Sequence, residues 1–240
     1  MNIIKEVRNA VTIENNGTCS LGLNTNLVKK GGANKAFSKA RKNSGYIYKD
    51  DNLTPFTLNE ITEIDNKIVL YSKDLNCGIK PLLTDNSNNA KSIKLLVSAL
   101  IKLKESNVTI NNLSLNMFYY TDNGNLLIMP PKLIKYIDQR SNLTALEQSV
   151  TRINHPDLKG ENSVMFSIGI LLYQEFTGEY PVDYTTVEEL RDKIRRGRIS
   201  DPRWKNILLS DSAYNLLMSL IFQGDESETL ITTDKKLNKS

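Results

Sequence analysis

The chain has 240 residues, 40% of them hydrophobic, enough to fill one large domain or two lobes with a substantial core. Thirty-one Lys and Arg against 27 Asp and Glu leave a net charge of +4, an interspersed excess that does not point to nucleic acid and supports only a weak preference for anionic partners. Two cysteines, Cys19 and Cys77, and one histidine, His155, exclude a disulfide scaffold, a Cys/His metal site and a Ser/His/Asp hydrolase built on more than that one imidazole.

In chain order, residues 1 to about 85 lack a long amphipathic repeat and are punctuated by the turn-forming clusters NNG, KKGG, KNSG and KDDN. Short β-prone runs at 10–13, 44–48, 55–58 and 67–71 predict a mostly antiparallel sheet, with one helix over 34–42. From Ala90 to Glu105, Ile93, Leu96, Leu100 and Leu103 recur at helical spacing while the lysines fall largely elsewhere, which predicts a helix. A loop over 107–116 follows. Two β-prone runs, 117–120 and 126–129, then flank Asp122-Asn123-Gly124, a strong hairpin turn, and Pro130-Pro131 ends the second strand. Residues 132–154 show no strong period and read as an extended, mobile segment.

The stretch from His155 to Pro181 stands out. Val164 to Phe176 is apolar on most sides of a helix, so it belongs in a core, and Thr177-Gly178 with Pro181 supplies its stop. It is too short to span a bilayer, which takes about 20 predominantly apolar residues, and no other segment is long enough. MNIIKEVRNAV lacks the apolar core of a signal peptide, so the expectation is a cytoplasmic chain with no integral membrane segment. Helices are predicted over 186–196 and 212–222, the latter capped by Ser210 or Asp211, and the charged end of the chain, 227–240, reads as a flexible tail.

This order of elements, and the local sequence within it, resembles the protein kinase family. ALIKLKESNVTINNLSLNMFYYTDNGNLLIMPPKL is similar to the kinase segment from the long C-lobe helix through the catalytic loop to the metal-binding Asp-Phe-Gly triplet. HPDLKGENSVMFSIGILLYQEFTGEYPV resembles the Ala-Pro-Glu motif and the central C-lobe helix, with Phe166-Ser167-Ile168-Gly169 where the family often has Trp-Ser-Phe-Gly. The resemblance covers about residues 67 to 224. It implies an α+β, two-lobed kinase-like fold: a small β-rich N-lobe over 1–75 and a mostly helical, C-terminally shortened C-lobe over 76–226.

Carried over residue by residue, the same resemblance implies lost chemistry. Phosphoryl transfer in the family uses a catalytic-loop Asp as base, Asn and Asp side chains that hold Mg²⁺, and a strand lysine. The base position is Asn111, whose amide cannot accept the substrate proton. The metal-binding Asp is replaced by Pro130, and the Asp that opens the central helix and braces the catalytic loop is Val164. Asn116 matches the metal-binding Asn. Gly17 and Gly22 are the outer glycines of GTCSLG, which reads as a plain hairpin more readily than as a phosphate loop, and Lys35 and Lys39 are the nearest lysines to a nucleotide-binding one.

The expectation is therefore a pseudokinase without ATP or Mg²⁺, acting as a regulatory or scaffolding protein-binding module. The alternatives are an atypical ATP-using enzyme with ligands displaced to Asp122 or Asp138, and a structural subunit of an assembly. The densest basic cluster, Lys193, Arg195, Arg196, Arg198, Arg203 and Lys205 with Trp204 among them, reads either as a solvated helix face or as a docking surface for an acidic protein.

Overall fold

The computed structural model describes residues 1–15, 18–24, 30–65, 67–72, 75, 79–81, 90–140, 143–222 and 229–238. The chain divides into two compact units, one of Met1–Leu82 with Ser114–Leu146, the other of Leu83–Leu113 with Glu147–Ser240. They are called here the sheet unit and the helical unit.

Among the described residues the sheet unit holds ten strands: β1 (Asn2–Val7), β2 (Ala10–Asn15), β3 (Thr18–Asn24), β4 (Gly45–Lys49), β5 (Asn52–Phe56), β6 (Glu60–Ile64), β7 (Lys67–Ser72), β8 (Ile79–Pro81), β9 (Phe118–Thr121) and β10 (Leu126–Ile128). They form two five-stranded sheets, ordered β1-β2-β3-β7-β6 and β5-β4-β10-β9-β8, antiparallel throughout. Val11, Ile13, Ile64, Val69 and Tyr71 make a buried cluster on the first sheet, with Ile3 packed against it. In the second sheet the predicted hairpin closes at Thr121–Asn125, where Gly124 takes φ 77°. Its strand β10 pairs with β4, Leu127 opposite Ile47, so the hairpin completes a sheet begun some 70 residues earlier.

Helices α1 (Lys30–Lys42) and α3 (Pro131–Asp138) also belong to this unit and pack on each other. The second corrects the reading of 132–154 as extended. Pro130 does end the strand, but Pro131 sits at the first helical position, where its missing N–H costs nothing and its fixed φ favours the helix. Leu133, Ile134, Tyr136 and Ile137 then bury one face. The helical α4 (Leu143–Leu146) and a π-helical turn at Glu147–Thr151 follow, so little of 132–154 is extended.

The helical unit consists of α2 (Ala90–Glu105), α5 (Glu161–Thr177), α6 (Val187–Arg195), α7 (Asp211–Phe222) and α8 (Leu230–Leu237), with a 3₁₀ turn at Pro202–Trp204. As expected from its composition, α5 is buried continuously from Ser163 to Tyr173. It stops at Gly178, whose left-handed φ of 72° lets its N–H return to the Gln174 carbonyl at 2.8 Å. Gly169 lets α7 approach closely. A Cβ there would lie 2.8 Å from Ile221 Cγ1 and 3.0 Å from Leu220 Cβ.

The end of the chain was expected to be a flexible tail, yet 230–237 is helical. Thr229 and Thr232 cap it reciprocally, and Leu230, Thr233 and Leu237 are buried at spacings of three and four. No helix among the described residues is long and apolar enough to cross a membrane.

Candidate functional site

Four positions carry the kinase comparison, and they fall in both units: Asn111 and Val164 in the helical unit, Asn116 and Pro130 in the sheet unit.

Asn111 lies exposed in the loop that follows α2. The loop is nevertheless held firmly. Asn154 Nδ2 donates to the carbonyls of Leu113 (2.8 Å) and Val150 (2.7 Å), while its Oδ1 accepts from the Leu113 N–H (3.1 Å) and from Ser167 Oγ (3.0 Å). One turn earlier on α5, Ser163 Oγ donates to Asn112 Oδ1 at 2.8 Å. Neutral amides and hydroxyls thus tie the loop to α5, and no carboxylate takes part in these bonds. Asn154 is the residue that sequence reading missed. It precedes the His155-Pro156 corner, and its amide satisfies four partners, which no periodicity announces.

Val164 is buried in an apolar wall. With Leu100, Leu103, Val108, Ile110 and Leu230 it lines a cavity of about 190 Å³, in whose wall Lys104 and Glu161 form an ion pair at 2.6 Å. Burial acts to raise the Glu161 pKa, but hydrogen bonds from Lys104 and the Leu230 N–H outweigh it and hold the group below the ordinary carboxylate value.

His155 sits at the corner before α5, edge-on to Phe166 with ring centroids 5.2 Å apart. Its Nδ1 accepts from the N–H groups of Asp157 (3.1 Å) and Leu158 (3.3 Å), which caps the turn and requires that nitrogen to be unprotonated. Burial lowers its pKa further, with Asp157 opposing and Arg195 reinforcing that shift. This geometry gives His155 a structural role at the corner.

In the sheet unit, Pro130 is buried and opens α3, so the metal-carboxylate position offers neither charge nor donor. Asn116 is buried at the start of the hairpin. Its Nδ2 donates to Asp138 Oδ1 at 2.9 Å, and its own N–H donates to Ser114 Oγ at 3.2 Å. Asp138, at the end of α3, is buried, and burial raises its pKa against the partial relief of hydrogen bonds from Asn116 and Ser114. Nearby, Arg8 Nη1 donates to the Leu115 carbonyl at 2.6 Å, and the buried Tyr119 phenol is pushed well above its ordinary range, chiefly by desolvation.

Asn116 and Asp138 are thus brought together, although α3 had to form for this to happen. They fit Mg²⁺ poorly. That ion takes ionised carboxylates and phosphate oxygens, whereas burial raises the Asp138 pKa and one of its oxygens already accepts from an amide. Among the described residues no cluster of three or more His, Cys, Asp and Glu is placed to hold a metal ion. Asp122 is exposed in the hairpin turn.

The glycine and lysine candidates are placed as follows. Gly17 lies outside the described residues. Gly22 is a strand position of β3, paired with Val11 and Tyr71, where a Cβ would come within 2.8 Å of Val69 Cγ1; packing accounts for it. Lys35 is exposed on α1, and Lys39 Nζ lies 5.3 Å from the Tyr136 ring centroid.

No protein-family model matches the chain, and no curated protein sequence matches it. The structure is similar to the crystal structure of the protein kinase Rad53, residues 1–466, in complex with AMP-PNP, with a TM-score of 0.55 at 15% sequence identity. The fold is kinase-like. The match takes in 98% of this chain and 63% of that one, so the chain spans just under two thirds of the solved structure. At this identity the likeness speaks for the fold alone.

The basic cluster of the helical unit is largely self-neutralised. Lys193 pairs with Glu189 (2.8 Å), Arg195 with Asp157 (2.9 Å), Arg196 with Asp192 (2.9 Å) and Lys205 with Glu179 (2.8 Å), and Arg203 binds Asp211. Among the described residues Arg198 has no carboxylate within ion-pair distance. Trp204 is exposed.

Proposed function

We propose that this chain is a catalytically inactive kinase-like module, a pseudokinase, that works by binding a protein partner. The observation that carries the reading is the use made of Pro130-Pro131. Where the kinase resemblance calls for a metal-binding carboxylate, the chain has two prolines that open a buried-faced helix. The exposed amide of Asn111 and the apolar surroundings of Val164 support the same reading, since neither offers a base or an anionic brace. Architecture without those groups leaves recognition as the use for the fold. The cations around α6 are the proposed contact surface, with Arg198 unpaired among the described residues and the others reaching an acidic partner by exchanging an exposed ion pair.

The test is phosphate transfer from ATP, with Mg²⁺ and with Mn²⁺, to the chain itself and to a generic protein substrate. The expected result is no transfer above an enzyme-free blank. Transfer that is lost in Asn116→Ala would overturn the proposal in favour of an atypical ATP-using enzyme, whose metal ligands would be Asn116 and the displaced Asp138.

A further inference from the structure

The 3₁₀ turn at Pro202–Trp204 and the residues after it carry the most exposed large apolar side chains among the described residues of the helical unit: Trp204 at 79%, Ile207 at 86% and Leu208 at 88% of full exposure. Single exposed apolar residues are ordinary, but three within five positions are not. Side chains this exposed stand clear of the surface around them.

The loop that presents them is tightly hydrogen-bonded. Asp201 Oδ1 accepts from the Arg203 N–H (2.8 Å), and the Pro202 carbonyl accepts from the N–H groups of Lys205 (3.1 Å) and Asn206 (2.9 Å). Asn206 Nδ2 anchors the loop to the Phe176 carbonyl at 2.8 Å, while its Oδ1 accepts from the Leu208 N–H at 3.1 Å. The backbone is therefore fixed before any contact is made, and little ordering is left to oppose binding.

Charge around this tip is uneven. Along the sequence, residues 191–208 contain seven of the 31 Lys and Arg and two of the 27 Asp and Glu, a net +5, and Asp157, Glu179, Glu189 and Asp211 from outside that stretch pair with four of its cations. Arg203 and Lys205 flank Trp204 directly. Their partners, Asp211 and Glu179, are largely exposed, and exposed pairs of this kind contribute little and exchange readily for a phosphate. Arg198 adds a cation that has no carboxylate partner among the described residues.

We propose that the 202–209 loop is a membrane-contact tip that inserts Trp204, Ile207 and Leu208 into an anionic lipid surface. A bilayer closes around a convex tip without needing a matching groove. Tryptophan favours the membrane–water interface, and the flanking Arg203 and Lys205 can reach headgroup phosphates while their stems follow the apolar side chains down. A second copy of the chain is the weaker occupant. A stable dimer covers about 800 Å² per partner, and Trp204 with two aliphatic neighbours falls short of that. The proposal goes beyond protein binding and stands or falls independently of phosphate transfer.

Trp204 is the only tryptophan, so its fluorescence reports on this loop alone. The experiment mixes the full chain with vesicles of phosphatidylcholine, with and without phosphatidylserine. The expected result is co-sedimentation and a blue shift of emission with phosphatidylserine vesicles, both weakened by salt. Ile207→Ser combined with Leu208→Ser keeps the reporter and removes only exposed side chains. It should leave the melting temperature unchanged and weaken partitioning by roughly tenfold or more. Absence of both the shift and co-sedimentation overturns the proposal, as does binding that the double substitution leaves intact. Concentration-dependent self-association that the same substitution abolishes, without vesicle binding, would reassign the tip to a contact between protein chains and equally overturn it.

Discussion

The two units handle polar groups in opposite ways. In the helical unit the loop after α2 is tied to α5 by Asn154, Ser163 and Ser167, all neutral, and the position of the kinase brace is Val164 in an apolar wall. In the sheet unit a carboxyl, Asp138, is buried and satisfied by an amide and a hydroxyl. A buried charge must be paired or it strongly destabilises the fold, whereas a neutral network needs only its hydrogen bonds. The contrast bears on the proposal that this kinase-like fold stands without kinase electrostatics. One unit uses neutral hydrogen-bonding groups, and the other buries a carboxyl whose pKa burial raises.

The comparison breaks most visibly at Val164. Restoring the kinase residue, Val164→Asp, places an unpaired carboxylate among Leu100, Leu103, Val108 and Ile110 and should cost roughly 3–5 kcal/mol, read from urea denaturation. A loss under about 1 kcal/mol would mean that the wall is wet enough to hold a brace. Asn154→Ala comes next. It strands the Leu113 N–H and carbonyl, and about 2–4 kcal/mol should be lost, together with protection of the Leu113 amide in hydrogen exchange. Unchanged protection would show that the loop is held by something other than Asn154.

In the sheet unit, Gly45→Ala tests whether β10 truly joins β4. The new methyl would meet the Phe56 ring at 2.4 Å and the Ile128 carbonyl at 2.7 Å, for a loss of about 1–3 kcal/mol. The smallest effect expected is at Asp138. Its folded pKa is raised, so its stabilising contribution is fully present below the ordinary value of 3.8 and is lost as pH rises through the folded value. Melting curves from acid toward neutral pH should therefore show the wild type losing ground to Asp138→Asn. His155 has the opposite sign. Its lowered pKa makes its contribution present above the ordinary value of 6.5 and lost as pH falls through the folded one.

What the sequence made legible follows the same division. Helices α2, α5, α6 and α7 announce themselves through local spacing and local stops, because a helix closes its hydrogen bonds within a few residues. The hairpin of β9 and β10 was equally local, signalled by Asp122-Asn123-Gly124. Its pairing with β4 was not, since sheet partners are chosen across long stretches of chain. Helix α3 is hidden because Pro130-Pro131 reads as a strand stop, although proline is also a helix opener and Leu133, Ile134 and Ile137 share a face. Asp138 could not be brought to Asn116 without that helix. Helix α8 is hidden by Lys235 and Lys236, which stand between the buried Thr233 and Leu237 and give the segment the look of a charged tail. Trp204 was singled out, but the exposure of Ile207 and Leu208 beside it depends on which way a short loop faces, and composition is silent on that.

The central claim is that the kinase-like fold lacks a working site for a metal-bound nucleotide. Calorimetric titration of the chain with AMP-PNP and Mg²⁺ tests it most directly. No saturable heat is expected from the wild type, and Asp138→Asn should be indistinguishable from it. Saturable, Mg²⁺-dependent binding that disappears in Asp138→Asn would contradict the account, because Asp138 would then be serving as a metal ligand.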